Sequence, residues 1–78
     1  MRAEDTLAFL AKQLVDTPDE VAVDVIEEND QTILELRVAP DDIGKVIGKR
    51  GRTAKAIRAV VKAAGSLDEE NIHVEIVD

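Results

Sequence analysis

The sequence predicts an α+β domain in which one layer of helices covers one face of a three-stranded sheet, with elements in the order α-β-β-α-α-β. Three observations carry this prediction. Apolar residues recur at helical spacing near the N-terminus and again after residue 52. In three other segments they alternate with polar or small residues, the period of a strand. Asn, Asp, Gly and Pro separate the segments. For 78 residues, one helix layer on one sheet is the economical way to bury a single core.

The first helix is expected over residues 3–15, where Ala3, Leu7, Leu10, Ala11 and Leu14 share a face. Asp16-Thr17-Pro18-Asp19 ends it, because proline resists continuation of a helix. Val21, Val23 and Val25 alternate with Ala22, Asp24 and Ile26 in a first strand. Asn29-Asp30 marks a turn, with Glu28 and Gln31 in the loop, and Thr32 to Val38 forms a second strand that points Leu34, Leu36 and Val38 one way. So short a connection implies an antiparallel hairpin. Pro40-Asp41-Asp42 opens a short helix over 42–47, with proline and acids where a helix N-terminus favours them. After Gly48 to Gly51 a longer helix is expected from Arg52 to Ala64, stopped by Gly65. An acidic loop over 66–70 leads to a last strand through Ile72, Val74 and Ile76. No internal repeat or linker divides residues 1–78, so one domain is expected.

Composition narrows the chemistry. There is no cysteine and one histidine, so neither a disulfide, a thiolate metal site nor an imidazole cluster is available, and no cofactor is expected. The N-terminus carries no apolar run of signal-peptide or membrane-span length, so a cytoplasmic protein without a membrane partner is expected. A short chain without staples gains stability from pairing with another chain.

A net charge of −7 argues against nucleic acid only as an average. From Ile43 to Leu67 there is no Asp or Glu, yet Lys45, Lys49, Arg50, Arg52, Lys55, Arg58 and Lys62 fall there, seven of the ten basic residues. This is a local basic stripe on an acidic body, the pattern suited to a polyanion. The alternative is a solvated helix face.

The stretch "GKVIGKRG", residues 44–51, decides between these. A phosphate-binding P-loop needs four residues between its glycines and Ser or Thr after the Lys; here Gly44 and Gly48 enclose three, and Arg50 follows Lys49. The Gly44/Gly48 spacing suits a membrane helix pair, but the segment is too short and charged. What remains is Gly48-Lys49-Arg50-Gly51, a GxxG between two helices. Glycine lets a phosphodiester approach the backbone, and the start of the next helix offers unbonded N–H groups to phosphate. At about 100° per residue, Arg52, Lys55, Arg58 and Lys62 fall within an arc of roughly 120°, opposite a core face of Ala54, Ile57, Val60, Val61 and Ala64.

The block "IGKVIGKRGRTAKAIRAVV", residues 43–61, resembles the central motif of a KH domain, with Ile47-Gly48-Lys49-Arg50-Gly51 as its signature and Ile57 downstream. The whole chain, including "LVDTPDEVAV" from residue 14, is similar to the KhpA family of small stand-alone bacterial KH proteins. The resemblance implies the type II KH topology with a mixed sheet and the binding of about four single-stranded nucleotides. It also implies a role as RNA chaperone or post-transcriptional regulator, with a homodimer or a larger KH-containing partner of the KhpB type. Lys45, Ile47, Gly48, Lys49, Arg50, Gly51, Arg52 and Lys55 are the expected RNA-binding residues.

The remaining residues constrain the mode of binding. With one Phe and no Trp or Tyr, the chain cannot grip bases on a row of aromatic rings. Bases would lie instead on an aliphatic groove near Ile43, Val46 and Ile47. Phe9 lies about 200° from Leu7, off the main apolar face, and is expected to wrap a neighbouring element in preference to marking a partner surface. Asp41 and Asp42 read as helix caps, and His73 as an exposed strand residue. No nucleophile–base set or metal cluster supports an enzyme. The reading that competes with RNA binding is a protein-interaction module.

Overall fold

The computed structural model describes residues 2–67 and 71–77. Helix α1 spans Ala3–Leu14, strand β1 Ala22–Glu28, strand β2 Gln31–Arg37, helix α2 Ile43–Ile47, helix α3 Arg52–Leu67 and strand β3 Ile72–Ile76. Short 3-10 turns at Pro18–Glu20, Pro40–Asp42 and Lys49–Gly51 link them. The sheet order is β1-β2-β3; β1 pairs with β2 antiparallel and β2 with β3 parallel. The predicted α+β order and the mixed sheet are both present.

Strand β2 is the centre. Its Leu34 and Leu36 are buried under the helices together with Ile72 and Val74 of β3. Helix α1 adds Ala3, Leu7 and Ala11, α2 adds Val46, and α3 adds Ile57 and Val61. Each fully buried Leu or Ile contributes roughly 1.5–3 kcal/mol relative to exposure, which makes this cluster the main source of stability. Leu10 and Ile76 pack against it but stay half-buried.

Several boundaries and faces differ from the sequence reading, each for a physical reason. The hairpin is tighter: β1 runs through Glu28 and β2 starts at Gln31, leaving a two-residue turn whose Asn29 and Asp30 both take positive φ, 50° and 62°. Two such residues match the right-handed twist of the strands they join. Gly65 does not stop α3, which runs on to Leu67. The residue is buried because β3 passes so close that a Cβ there would overlap the Ile72 side chain. Ser66 and Leu67 of the expected acidic loop are therefore helical, and residues 68–70 lie outside the described residues. Val60 is 49% exposed and Phe9 55% exposed, so neither joins the core, and Phe9 wraps no neighbour. Val46, expected in a groove, is fully buried.

The open face of the sheet is acidic. Asp24, Glu35 and Glu75 face one another in register across the three strands. Arg37 partly neutralises the row, with Nε 3.0 Å from Asp24 and Nη2 3.9 Å from Glu35. His73 is exposed, as expected, on this same face.

Candidate nucleic-acid interface

Helix α2 ends at Gly48, whose φ of 76° and ψ of 173° no helix continues. Its amide donates to the Gly44 carbonyl at 2.9 Å, closing the last turn. The chain then re-enters a helical turn at once. The Gly51 amide bonds back to Gly48 at 3.1 Å, and the Arg52 amide to Lys49. These two bonds close a tight turn, and the helical backbone of α3 starts after it, at Arg52. Arg50 sits in the left-handed region at φ 59°, and Gly51 follows at φ 73°. A Cβ on Gly48 would overlap the side chain of Thr53, so Thr53 packs directly on the loop backbone. Nothing local marked Thr53 for this role; only the Gly48 conformation brings it there.

Lys49 and Arg50 are exposed at the turn, and Arg52 and Lys55 are exposed on the first turns of α3. Ile47 and the two loop glycines are half-buried beside them. Seven of the eight expected residues therefore lie together. Lys45 is the exception. Its ammonium lies 2.8 Å from Asp16 and 3.3 Å from the buried carboxylate of Asp42. Asp42 also accepts the Thr17 amide at 3.0 Å, tying α2 to the segment after α1. It caps no helix through its side chain. Burial pushes the Asp42 carboxyl upward, but the Thr17 and Asp16 amides and Lys45 outweigh burial and hold it below its ordinary value. Hydrogen bonds to Asp16 and Asp42 raise Lys45 above its ordinary value.

One member of the basic arc of α3 reaches β3, an edge strand of the sheet. Arg58 Nε donates to the Val74 carbonyl at 3.3 Å. In the parallel ladder the Asn71 carbonyl and the Val77 amide bond to β2. By alternation, the N–H and C=O groups of Ile72, Val74 and Ile76 turn outward along that edge. The opposite flank of α3 is apolar. There Leu10, Gln13, Leu14, Thr53, Ala56, Ile57 and Val60 line an open groove of about 250 Å³ between α1 and α3.

This arrangement, a GxxG loop between two helices beside the parallel edge of a three-stranded sheet, has a match among known families. The KhpA/KhpB KH-domain model fits residues 4–76. The chain belongs to this family. It is 55% identical over 71 residues to the RNA-binding protein KhpA of Clostridium acetobutylicum, covering 91% of this chain and 95% of that protein. It is 43% identical to the RNA-binding protein KhpA of Chlamydia trachomatis, covering 96% of each. Among solved structures, Aquifex aeolicus Era bound to GDP and aluminium fluoride matches with a TM-score of 0.66 at 19% identity, over 95% of this chain and 29% of that one. Era in complex with MgGDPNP and nucleotides 1506–1542 of 16S ribosomal RNA matches equally well. These two likenesses concern the fold. The KhpA/KhpB family is one of non-enzymatic binding domains, in line with the lack of a catalytic set in the sequence. Among the described residues, no helix is long and apolar enough to cross a membrane.

Proposed function

We propose that this KH chain binds single-stranded RNA in the cytoplasm, as a chaperone or post-transcriptional regulator acting without a cofactor. The observation that carries the reading is the continuity of the GxxG loop with the basic arc of α3. Lys49 and Arg50 stand exposed between two glycines, and Arg52, Lys55 and Arg58 continue the positive surface along the edge of β3. A phosphodiester backbone lies against the turn from Gly48 to Gly51, where open space beside Gly51 in place of a Cβ allows close approach. Bases splay over Ile47 and toward the outward polar groups of β3, since no aromatic platform is present. Lys45 supports the site from behind α2, its charge already engaged by two carboxylates.

Lys49→Asp combined with Arg50→Asp tests the reading. Asp tolerates the left-handed backbone that Arg50 occupies, so the fold survives. Binding of a labelled single-stranded RNA is expected to vanish while the circular dichroism spectrum stays unchanged. Undiminished binding by that well-folded variant would sink the proposal, as would equal affinity for the same sequence in a duplex.

The apolar groove between α1 and α3 favours a second, compatible role. Leu14, Val60 and Leu67 are exposed on or beside that flank. We infer that it seats a second copy of the chain or a larger KH-containing partner of the KhpB type. Being on the other side of α3 from the basic arc, it leaves the RNA surface free.

A further inference from the structure

The helices cover one face of the sheet, and the other face meets water, where strand alternation ordinarily leaves polar residues. Here that face is ordered in rows. The register sets Ile26, Ile33 and His73 side by side across the three strands. Asp24, Glu35 and Glu75 form the row on one side of them, and Glu28 with Gln31 the row on the other. Ile26 is 38% exposed and Ile33 half-buried, so an apolar strip crosses the sheet between two rims that both carry carboxylates. Arg37 is the one Lys or Arg in the three strands, and its contacts are to Asp24 and Glu35. Four carboxylates against one guanidinium leave the face negative.

The spacing of the rows selects a shape. Adjacent strands lie roughly 4.8 Å apart, so the acidic row spans roughly 9.6 Å from Asp24 to Glu75. Residues i, i+3 and i+7 of an α-helix span roughly 10.5 Å along its axis, in steps of roughly 4.5 and 6 Å. Alternate residues of an extended chain step roughly 6.6–6.8 Å and fall out of phase with the strands. A helix lying across the sheet therefore matches the row, and an apolar stripe next to its cations falls on Ile26 and Ile33.

We propose that the open face of the sheet docks a basic amphipathic helix of a partner protein. Its Lys or Arg side chains meet Asp24, Glu35 and Glu75, and its apolar stripe covers the two isoleucines, so charge fixes the orientation and burial supplies the attraction. The basic arc of a second copy's α3 does not fill this role. The residues beside that arc, within about 40° of Arg52, are Ala56, Ala59 and Ala63, too small to cover Ile26 and Ile33. The inference stands apart from the RNA-binding reading, because the face lies on the far side of the sheet from the helices.

The probe is a fluorescein-labelled synthetic helix of roughly five turns, built from Leu, Lys and Ala, with lysines at i, i+3 and i+7 beside a leucine stripe. A scrambled peptide of the same composition is the control. Fluorescence anisotropy with the full chain at physiological salt should show the amphipathic peptide binding at least tenfold more tightly than the scrambled one. Asp24→Asn combined with Glu35→Gln should weaken it at least fivefold. So should Ile33→Thr, which keeps a β-branched residue in the strand, and Ile26→Thr replaces it should circular dichroism show that Ile33→Thr misfolds. Single-stranded RNA affinity of the same variants should stay within twofold of the parent's. Equal binding of the two peptides would reduce the effect to unspecific charge attraction and overturn the proposal. Undiminished peptide binding by the folded variants would overturn it too, as would a parallel loss of RNA affinity, which would merge this face with the RNA surface. Self-association of the parent that these variants abolish, with the peptide unbound, would hand the face to a second copy instead. A parent that binds the amphipathic peptide but no RNA would sink the RNA-binding reading and leave this inference standing.

Discussion

Asp42 is the one buried charged residue among the described residues, and its environment fixes how stability responds to pH. The carboxyl is held below its ordinary value of 3.8 despite the upward push of burial, because the Thr17 and Asp16 amides and Lys45 favour the charged form. A carboxyl depressed in the folded state stabilises fully above its unfolded value, and the contribution is lost as pH falls through the folded one. Lys45, raised above 10.5, contributes fully below that value and loses its contribution as pH climbs through the folded value. Asp42→Asn should therefore lower the thermal midpoint at pH 7 and flatten the acid limb of a stability profile. An acid limb identical to the parent's would remove Asp42 from this role. The loop residues were legible because their signal is local: two glycines three apart with basic residues between them. The Asp42–Thr17 contact was not, since its partners are separated by 25 positions and meet only when α1 packs on α2.

At the scale of elements, α3 and β3 depend on one close approach. Gly65→Ala should destabilise the protein by about 1–3 kcal/mol, because a Cβ at this site displaces Ile72 or forces α3 off the sheet. Chemical denaturation would show a lower midpoint, and a variant as stable as the parent would mean that β3 yields at no cost. The periodicities of 3.6 and 2 located α1, α3 and the three strands from sequence, and proline with its two acids located α2. They did not locate the end of α3, because a glycine after a run of apolar residues signals equally a helix stop or a tight packing contact. The geometry of the neighbouring strand decided between them. The same limit applies to Val60, which lies close to the core face by angle but finds α1 too far away to cover it.

For the whole molecule, α3 divides two surfaces of different character. Val60→Asp places a charge in the apolar groove at a half-exposed position, so the fold should persist and stability should change by less than about 1 kcal/mol. Sedimentation is expected to show self-association at micromolar concentration for the parent and a monomer for the variant, with RNA affinity per chain retained. A parent that stays monomeric up to hundreds of micromolar would exclude the homodimer and leave a heteromeric partner for the groove. The sequence could place charge and apolar residues along α3 but not say which apolar residues stay uncovered. That depends on the position of α1, a tertiary fact. Phe9 shows the same gap: its angle was correct and its burial was not.

The acidic row across the open sheet has a kinetic and thermodynamic consequence for any polyanion that approaches. Asp24, Glu35 and Glu75 lie on the side of the sheet away from the helices, in a molecule 33 × 21 × 21 Å across. At physiological ionic strength the screening length is about 8 Å, so the row is hidden from a ligand on the helix side, and affinity should fall with added salt by ordinary counterion release. Near 0.01 M the screening length grows to roughly 30 Å, the size of the molecule. The strand then feels the net charge of −7 as well as the basic arc. Affinity plotted against salt should level off or turn over at this end, and encounter should slow as salt is removed. A plot that stays linear down to the lowest salt would mean that the basic arc alone governs the approach.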